Sequence, residues 1–238
     1  MAVFWDFDAT LAYRKGFFVE TLVKILEEYI PGSNVKIQDL RPHLKYPFPW
    51  QHPEKPHLEL SEPEAWWAGI IATFQQAFAA VGVEENKAAE LAKLSRYRYI
   101  EPQGFILYDD TIQALAYLRD RGWKQYILSN HVPELPRIVE GVGLGKFITE
   151  CISSANVGYE KPHPEIFRIA LKLAGNPQIA WMVGDSMDAD VRGAEAVGMK
   201  SILVRSPRDP EALFYAESLP EAVKIIDPGE NEKPHHSL

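Results

Sequence analysis

The sequence predicts an α/β fold, a doubly wound parallel sheet with a helical segment inserted after its first strand, and three observations carry that prediction. Short apolar runs rich in β-formers alternate with helix-patterned stretches from residue 110 onward, which calls for parallel strands covered by helices on both faces. The first apolar run, inside V-F-W-D-F-D-A-T at 3–10, stops abruptly at two carboxylates, Asp6 and Asp8. Between that run and the helix expected at Asp110 lies a long stretch of different character, helical and proline-rich. The chain therefore divides into a core of residues 1–12 and 100–238 and an inserted helical lid of residues 13–99.

Taken in order, the first strand sets the chemistry. In a strand, residues i and i+2 share a face roughly 7 Å apart, so Asp6 and Asp8 sit side by side at its mouth. Phe17 to Tyr29 is amphipathic and stops at Pro31-Gly32. Pro42, Pro47, Pro49, Pro53 and Pro56 then exclude regular helix and strand, leaving an extended surface loop. Residues 65–83 carry no charge and are long enough for a membrane check. Yet Trp66, Trp67, Ile70, Ile71, Phe74, Ala77, Phe78 and Val81 follow the helical rhythm, with acidic residues on both flanks. Ser61 and Glu64 read as a capping box and Gly82 as the stop, so this is an amphipathic helix of a soluble fold. Glu84 to Tyr97 supplies a third helix. Such an insert lies over the carboxyl ends of the strands, where open α/β sheets bind ligands.

The core resumes with a helix over 110–121 and a strand over 124–128 that ends at Ser129-Asn130. A helix over 133–142 and a short strand over 147–152 follow. Pro164 suits the first turn of a helix running to about Ala174, stopped by Gly175. Residues 179–183 form a buried strand, 188–197 a helix closed by Gly198, and 201–204 another short strand. Beyond Ser206 the pattern is less regular. The end of the chain reads as frayed, with His235 and His236 solvated rather than metal-binding.

Composition bounds the partners. The 238 residues carry a net charge of −8 and are 46% apolar, enough for a sizeable core. The charge argues against a nucleic-acid partner, which is met by a basic face. Cys151 is the only cysteine, so no internal disulfide forms, in keeping with a reducing compartment. No signal peptide or membrane partner is read from the chain. The expectation is a cytoplasmic monomer or homodimer.

Three later segments give the opening acids meaning. Ser129-Asn130 offers a hydroxyl and an amide at a strand end. Lys161, in Y-E-K-P-H-P, is biased by Pro162 toward loop geometry before the helix. Gly184-Asp185-Ser186, with Asp190 beyond, follows the buried strand. Each alone has a bland explanation: a turn, a solvated lysine, or acids placed at a helix start by its dipole. Two like charges at a strand mouth need a cation or a shared proton.

Together, D-F-D-A-T at 6–10, S-N at 129–130, K-P at 161–162 and G-D-S-M-D-A-D at 184–190 resemble the four motifs of the haloacid dehalogenase (HAD) superfamily, in the same order. The insertion point resembles the family's C1 helical cap. The Pro- and Trp-rich cap, with P-W at 49–50 and W-W at 66–67, looks most like the branch called haloacid dehalogenase-like domain-containing protein 3. The resemblance implies a Rossmann-like core and a Mg²⁺-dependent phosphatase acting on a small phosphorylated metabolite. It assigns Asp6 as nucleophile and Asp8 as acid and base. Ser129 and Lys161 are implied to be both catalytic and phosphate-binding, and Asn130 and Thr10 to bind substrate. Asp6, Asp185 and the Asp8 carbonyl are implied as metal ligands, and Asp190 as orienting the metal's surroundings or Lys161.

One position departs from the pattern: Ala9 stands where phosphatase members usually have Gly. If φ is positive there, Ala costs about 1 kcal/mol or more. Trp50, Trp66, Trp67 and the loop around Tyr46 and Phe48 either wall the substrate or pack the cap's own core. Arg14 either steers anions or is a surface charge. Other readings of the same fold are a 2-haloacid dehalogenase, which needs neither metal nor Asp8, a phosphomutase, and a non-catalytic binding module.

Overall fold

Ala2–Trp5 forms the central strand, β1, and its composition explains the position: all four residues are buried, as a strand covered on both faces requires. Alternation splits the strand between two cores. Val3 and Trp5 face the larger apolar cluster, while Ala2 and Phe4 face a smaller one with Tyr126, Leu128, Phe167 and Met182. The computed structural model describes residues 1–45 and 48–229. Tyr46, Pro47, His235 and His236 lie outside the described residues.

After β1 the chain leaves along β2 (Ala12–Tyr13) and returns along β3 (Ile106–Leu107), which pair antiparallel as a two-stranded ribbon. Between them, among the described residues, come the α-helices α1 (Phe17–Tyr29), α2 (Ile37–Leu40), α3 (Pro63–Ala80) and α4 (Glu85–Tyr99). Among the described residues, the proline-rich stretch between α2 and α3 holds only short 3-10 turns, because proline removes the donors that regular elements need. α3 does not use the expected Ser61–Glu64 capping box. Its N-cap is Glu62 with Pro63 at the first position, and the Ser61 hydroxyl donates back to the Leu58 carbonyl at 2.9 Å. Proline at the first helical position moves the start one residue on. Gly82, at φ 91, ends the helix as expected. Phe18, Trp67, Phe74 and Tyr99 pack ring against ring inside this insert. Glu134 ties it to the core, accepting from Trp67 Nε1 at 3.0 Å and from Arg96 at 2.9 Å.

The remaining elements are α5 (Thr111–Arg119), β4 (Lys124–Ser129), α6 (Leu135–Gly141), β5 (Glu150–Ser153), α7 (Ser154–Val157), α8 (Pro164–Leu173), β6 (Ala180–Gly184), α9 (Gly193–Glu195), β7 (Lys200–Val204), β8 (Tyr215–Ala216) and α10 (Leu219–Ile226). The main sheet has six strands in the order β5-β4-β1-β6-β7-β8, all pairs parallel. Three boundaries differ from expectation. The strand expected over 147–152 begins later, because Gly145–Phe147 is a 3-10 turn and pairing starts with Thr149 N donating to Gln125 O at 2.7 Å. The helix expected over 188–197 is interrupted by a wide turn, Met187–Arg192, before α9. β8 and α10 occupy the region read as irregular. For α10 a signal was available: Ser218 and Glu221 form the S-x-x-E pattern, Ser218 Oγ accepts from Glu221 N, and Leu219, Ala222, Val223 and Ile226 are buried.

β1 lies between β4 and β6, with Trp5 level with Ile127 on one side and Val183 on the other. The sheet runs outward in both directions from that pair, which opens a crevice at the carboxyl ends of the strands. Asp6, Ser129 and Asp185 all leave the sheet there.

Candidate active site

Asp6 is the first residue past β1, its N–H donating to the Val183 carbonyl at 2.9 Å, so the sheet itself sets its direction. One carboxylate oxygen, Oδ1, accepts from Ser129 Oγ at 2.8 Å and from Lys161 Nζ at 2.7 Å. The other, Oδ2, accepts from Thr10 Oγ1 at 3.3 Å. Lys161 is buried between two acids, with Asp190 Oδ1 at 2.5 Å on its far side. Burial opposes its charge, but Asp190 and Asp6 outweigh that and hold the ammonium above its ordinary range.

The backbone of Lys161 is fixed as well. Its N–H donates to Asn130 Oδ1 at 2.7 Å and its carbonyl accepts from Asn130 Nδ2 at 2.9 Å. Asn130 therefore binds the lysine loop to the end of β4 through its side chain. The wide turn after β6 places Asp190: the Ser186 carbonyl accepts from both Asp190 N and Val191 N, and Ser186 N donates to Asp190 Oδ2 at 3.0 Å. Widened helical turns of this kind concentrate at functional sites. A regular helix would have aimed Asp190 elsewhere.

Asp6, Asp185 and Asp190 each offer an oxygen, all within 4.8 Å of one another. Both Asp190 oxygens already accept from donors, Lys161 Nζ and Ser186 N. Burial, and then the charge of Asp6, push Asp185 up to about 6. Burial, then Asp6 and Asp185, push Asp8 up to about 7, and its Oδ1 is buried without a hydrogen-bond partner. An oxygen-only cluster carrying excess negative charge and an orphaned carboxylate atom fits a hard divalent cation such as Mg²⁺.

All eight residues singled out in the sequence, Asp6, Asp8, Thr10, Ser129, Asn130, Lys161, Asp185 and Asp190, meet in this crevice. Thr10 is fully buried, its hydroxyl turned to Asp6. His131 was missed. Its buried ring lies 3.4 Å from Asp8 Oδ2, edge-on to Phe7, and burial lowers it to about 4, so the imidazole is neutral. Its position directly after Ser129-Asn130 was the available signal. Arg14 follows neither expectation. It stacks on Tyr99 and Phe105 and donates to the Tyr99 and Arg98 carbonyls, locking α4 to the exit strand. Cys151 lies half-buried on β5, and burial pushes its thiol up to about 12.

A cavity of about 670 Å³ opens above these residues, bounded by Asp8, Asn130 and Lys161 below and by Phe18, Phe48 and Trp50 of the insert above. Trp50 is thus a wall residue. Trp66 and Trp67, 2% and 0% exposed, pack the insert's core.

Ala9 takes φ 60, the left-handed region that disfavours a Cβ by about 1–2 kcal/mol. Its N–H donates to the Ala12 carbonyl at 2.7 Å, closing the turn that returns Thr10 to Asp6. Ala9→Gly is expected to stabilise the fold by about 0.5–1 kcal/mol, a rise of roughly 2 °C in Tm. Thermal denaturation measures this, and a fall in Tm would show that the methyl's packing outweighs the strain.

A buried acid at the end of a central parallel strand, a lysine and a hydroxyl on its oxygen, and two more acids beside it are brought together as the resemblance to the HAD superfamily implies. The family model "haloacid dehalogenase-like hydrolase" matches residues 1–198, and the chain belongs to that family. It is 34% identical over 171 residues to haloacid dehalogenase-like hydrolase domain-containing protein 3 of Bos taurus, covering 71% of this chain and 63% of the relative. It is 36% identical over 170 residues to a phosphoserine phosphatase of Thermus thermophilus, covering 68% and 66%. The matches thus span a little under two thirds of each relative's length. Among solved structures, a 2-haloacid dehalogenase from Pseudomonas syringae pv. tomato aligns over 95% of this chain and 98% of its own, with a TM-score of 0.69 at 20% identity. That likeness concerns the fold. Among the described residues, no helix is long and apolar enough to cross a membrane.

Proposed function

We propose that this chain is a Mg²⁺-dependent phosphatase that hydrolyses a small phosphomonoester through an aspartyl-phosphate. The observation that carries the reading is the Asp6 carboxylate, held by Ser129 and Lys161 on one oxygen beside a second acid, Asp8, that is near neutrality. A haloacid dehalogenase has no use for Asp8 or for the Asp185 cluster. The phosphatase names carried by relatives support the same choice.

In this reading Asp6 forms a bond to phosphorus as the bond to the leaving oxygen breaks, dividing one hard displacement into two. Asp8 gives its proton to the leaving oxygen. It then takes a proton from the water that attacks the aspartyl-phosphate, releasing inorganic phosphate and Asp6. Such transfer contributes roughly 10²–10⁴-fold. Ser129 and Lys161 donate to phosphoryl oxygens and steady the charge that develops on them. Asp6, Asp185 and the Asp8 carbonyl would hold Mg²⁺, which when bound would supply the positive charge that lets an anionic nucleophile meet an anionic phosphate. Asp190 positions Lys161. The helical segment of residues 13–99 acts as a cap that excludes water and selects the alcohol half of the substrate, which its contribution to the cavity wall supports.

Phosphate release from p-nitrophenyl phosphate, dependent on Mg²⁺, tests the reading. Chloride release from 2-chloropropionate without metal, and no phosphate release, would replace it with the dehalogenase.

Metal binding has its own signature. Asp8 and Asp185 are raised from 3.8 to about 7 and about 6 in the folded, metal-free chain. Folded protein then holds more protons than unfolded protein between pH 4 and 7, so stability falls as pH rises through that window. Mg²⁺ at a hundredfold excess over Kd adds about 2.7 kcal/mol, a Tm rise of about 5–10 °C for a chain this size. We expect that rise at pH 7.5 and little of it at pH 5, where protons occupy the acids. Equal Mg²⁺ shifts at both pH values in differential scanning fluorimetry would count against these ligands.

A further inference from the structure

On the phosphatase reading above, we infer that the alcohol half of the substrate is uncharged and carries a flat apolar ring. The cavity over Asp8 and Lys161 holds about 670 Å³, room for a phosphate and a ring beyond it. Its insert-side wall is an aromatic ladder. Phe18 and Phe48 lie 5.5 Å apart at 10°, and Phe48 and Trp50 lie 4.5 Å apart at 8°. These three nearly parallel rings stack on one another by their faces, so the wall they give the cavity is apolar ring edge, against which a flat aromatic ring packs edge to face.

Charge excludes the alternatives. Among the described residues lining the cavity, Lys161 is the sole cation, and its ammonium is already clasped by Asp6 and Asp190. The arginines nearby are turned to other partners: Arg14 to the carbonyls of Tyr99 and Arg98, and Arg192 to Asp188 and Glu211. Asp8 and Asp188 stand on the wall itself. A second anionic group on the substrate, a carboxylate or another phosphate, therefore finds acids and apolar rings where it needs a cation. Leaving a buried charge unpaired is the kind of mismatch that enzymes reject most strongly.

The test compares kcat/KM, with Mg²⁺, for 2-phenylethyl phosphate, glycerol 3-phosphate and O-phosphoserine. All three leave as alkyl alcohols, so differences report on binding rather than on leaving-group reactivity. Expected values for 2-phenylethyl phosphate are about tenfold above glycerol 3-phosphate and about 10²-fold above O-phosphoserine. Trp50→Ala is expected to narrow the preference over glycerol 3-phosphate by about tenfold. Gln51 is exposed and lies on the cavity wall, so Gln51→Arg supplies the missing cation and is expected to raise O-phosphoserine relative to 2-phenylethyl phosphate by about tenfold. Equal or better turnover of O-phosphoserine or glycerol 3-phosphate by the unaltered chain overturns the inference and leaves the phosphatase reading standing. Turnover of p-nitrophenyl phosphate with none of the three also overturns it. No phosphate release from any ester, p-nitrophenyl phosphate included, overturns both.

Discussion

Asp6→Asn is expected to lower kcat/KM by roughly 10⁴-fold or more, the loss that follows removal of a nucleophile. The substitution is nearly isosteric, and an amide oxygen can still accept from Ser129 Oγ and Lys161 Nζ, which lie 2.8 and 2.7 Å away. The fold and the cavity should therefore survive while the attacking carboxylate is gone. Steady-state kinetics with p-nitrophenyl phosphate, alongside an unchanged circular dichroism spectrum, make the measurement. A variant that keeps a tenth of the activity would remove Asp6 from the role of nucleophile, and with it the aspartyl-phosphate.

Lys161→Met carries two large effects at once. The ammonium sits 2.7 Å from Asp6 and 2.5 Å from Asp190, and both the lysine and Asp190 are buried. Removing it leaves two carboxylates facing each other without a cation. Breaking a buried ion pair from one side costs about 3–5 kcal/mol, a drop of roughly 10 °C in Tm. Activity falls about 10³-fold or more, since the donor on the phosphoryl oxygens goes with it. Adding Asp190→Asn removes one of the stranded charges, so the double variant recovers part of the stability and none of the activity. Lys161→Arg does not rescue, because the planar fork is longer and broader than the point charge it replaces. A Tm for Lys161→Met within 2 °C of the parent would show that the buried pair is not a strut of the fold.

Much of the site was legible because its residues sit where strands end. Asp6, Ser129 and Asp185 each close an apolar run, and parallel pairing brings those ends to one edge of the sheet. Lys161 was legible from its proline neighbour and from the resemblance. His131 had only its place directly after Ser129-Asn130 to mark it, and only the fold reveals that its ring meets Asp8. The expected helix over 188–197 failed for a related reason. Local propensity favours a regular helix, but the pull of Lys161 and Ser186 N on Asp190 widens the turn. The capping box at Ser61 gave way to Pro63, whose fixed φ starts the helix better than a serine cap.

The resemblance singled out Thr10, Ser129, Asn130, Lys161 and Asp190, while alternating apolar runs, acids at strand ends and proline clustering determined the α/β class, the helical stretch after the first strand and the acids at the sheet's edge. These are local or periodic properties, written into composition and spacing. Tertiary structure alone decided which tryptophans wall the cavity and which fill the insert's core, where Arg14 points, and that Lys161 lies clasped between two acids. Those outcomes depend on how separate elements dock, and docking is settled by packing and charge between residues far apart in the chain.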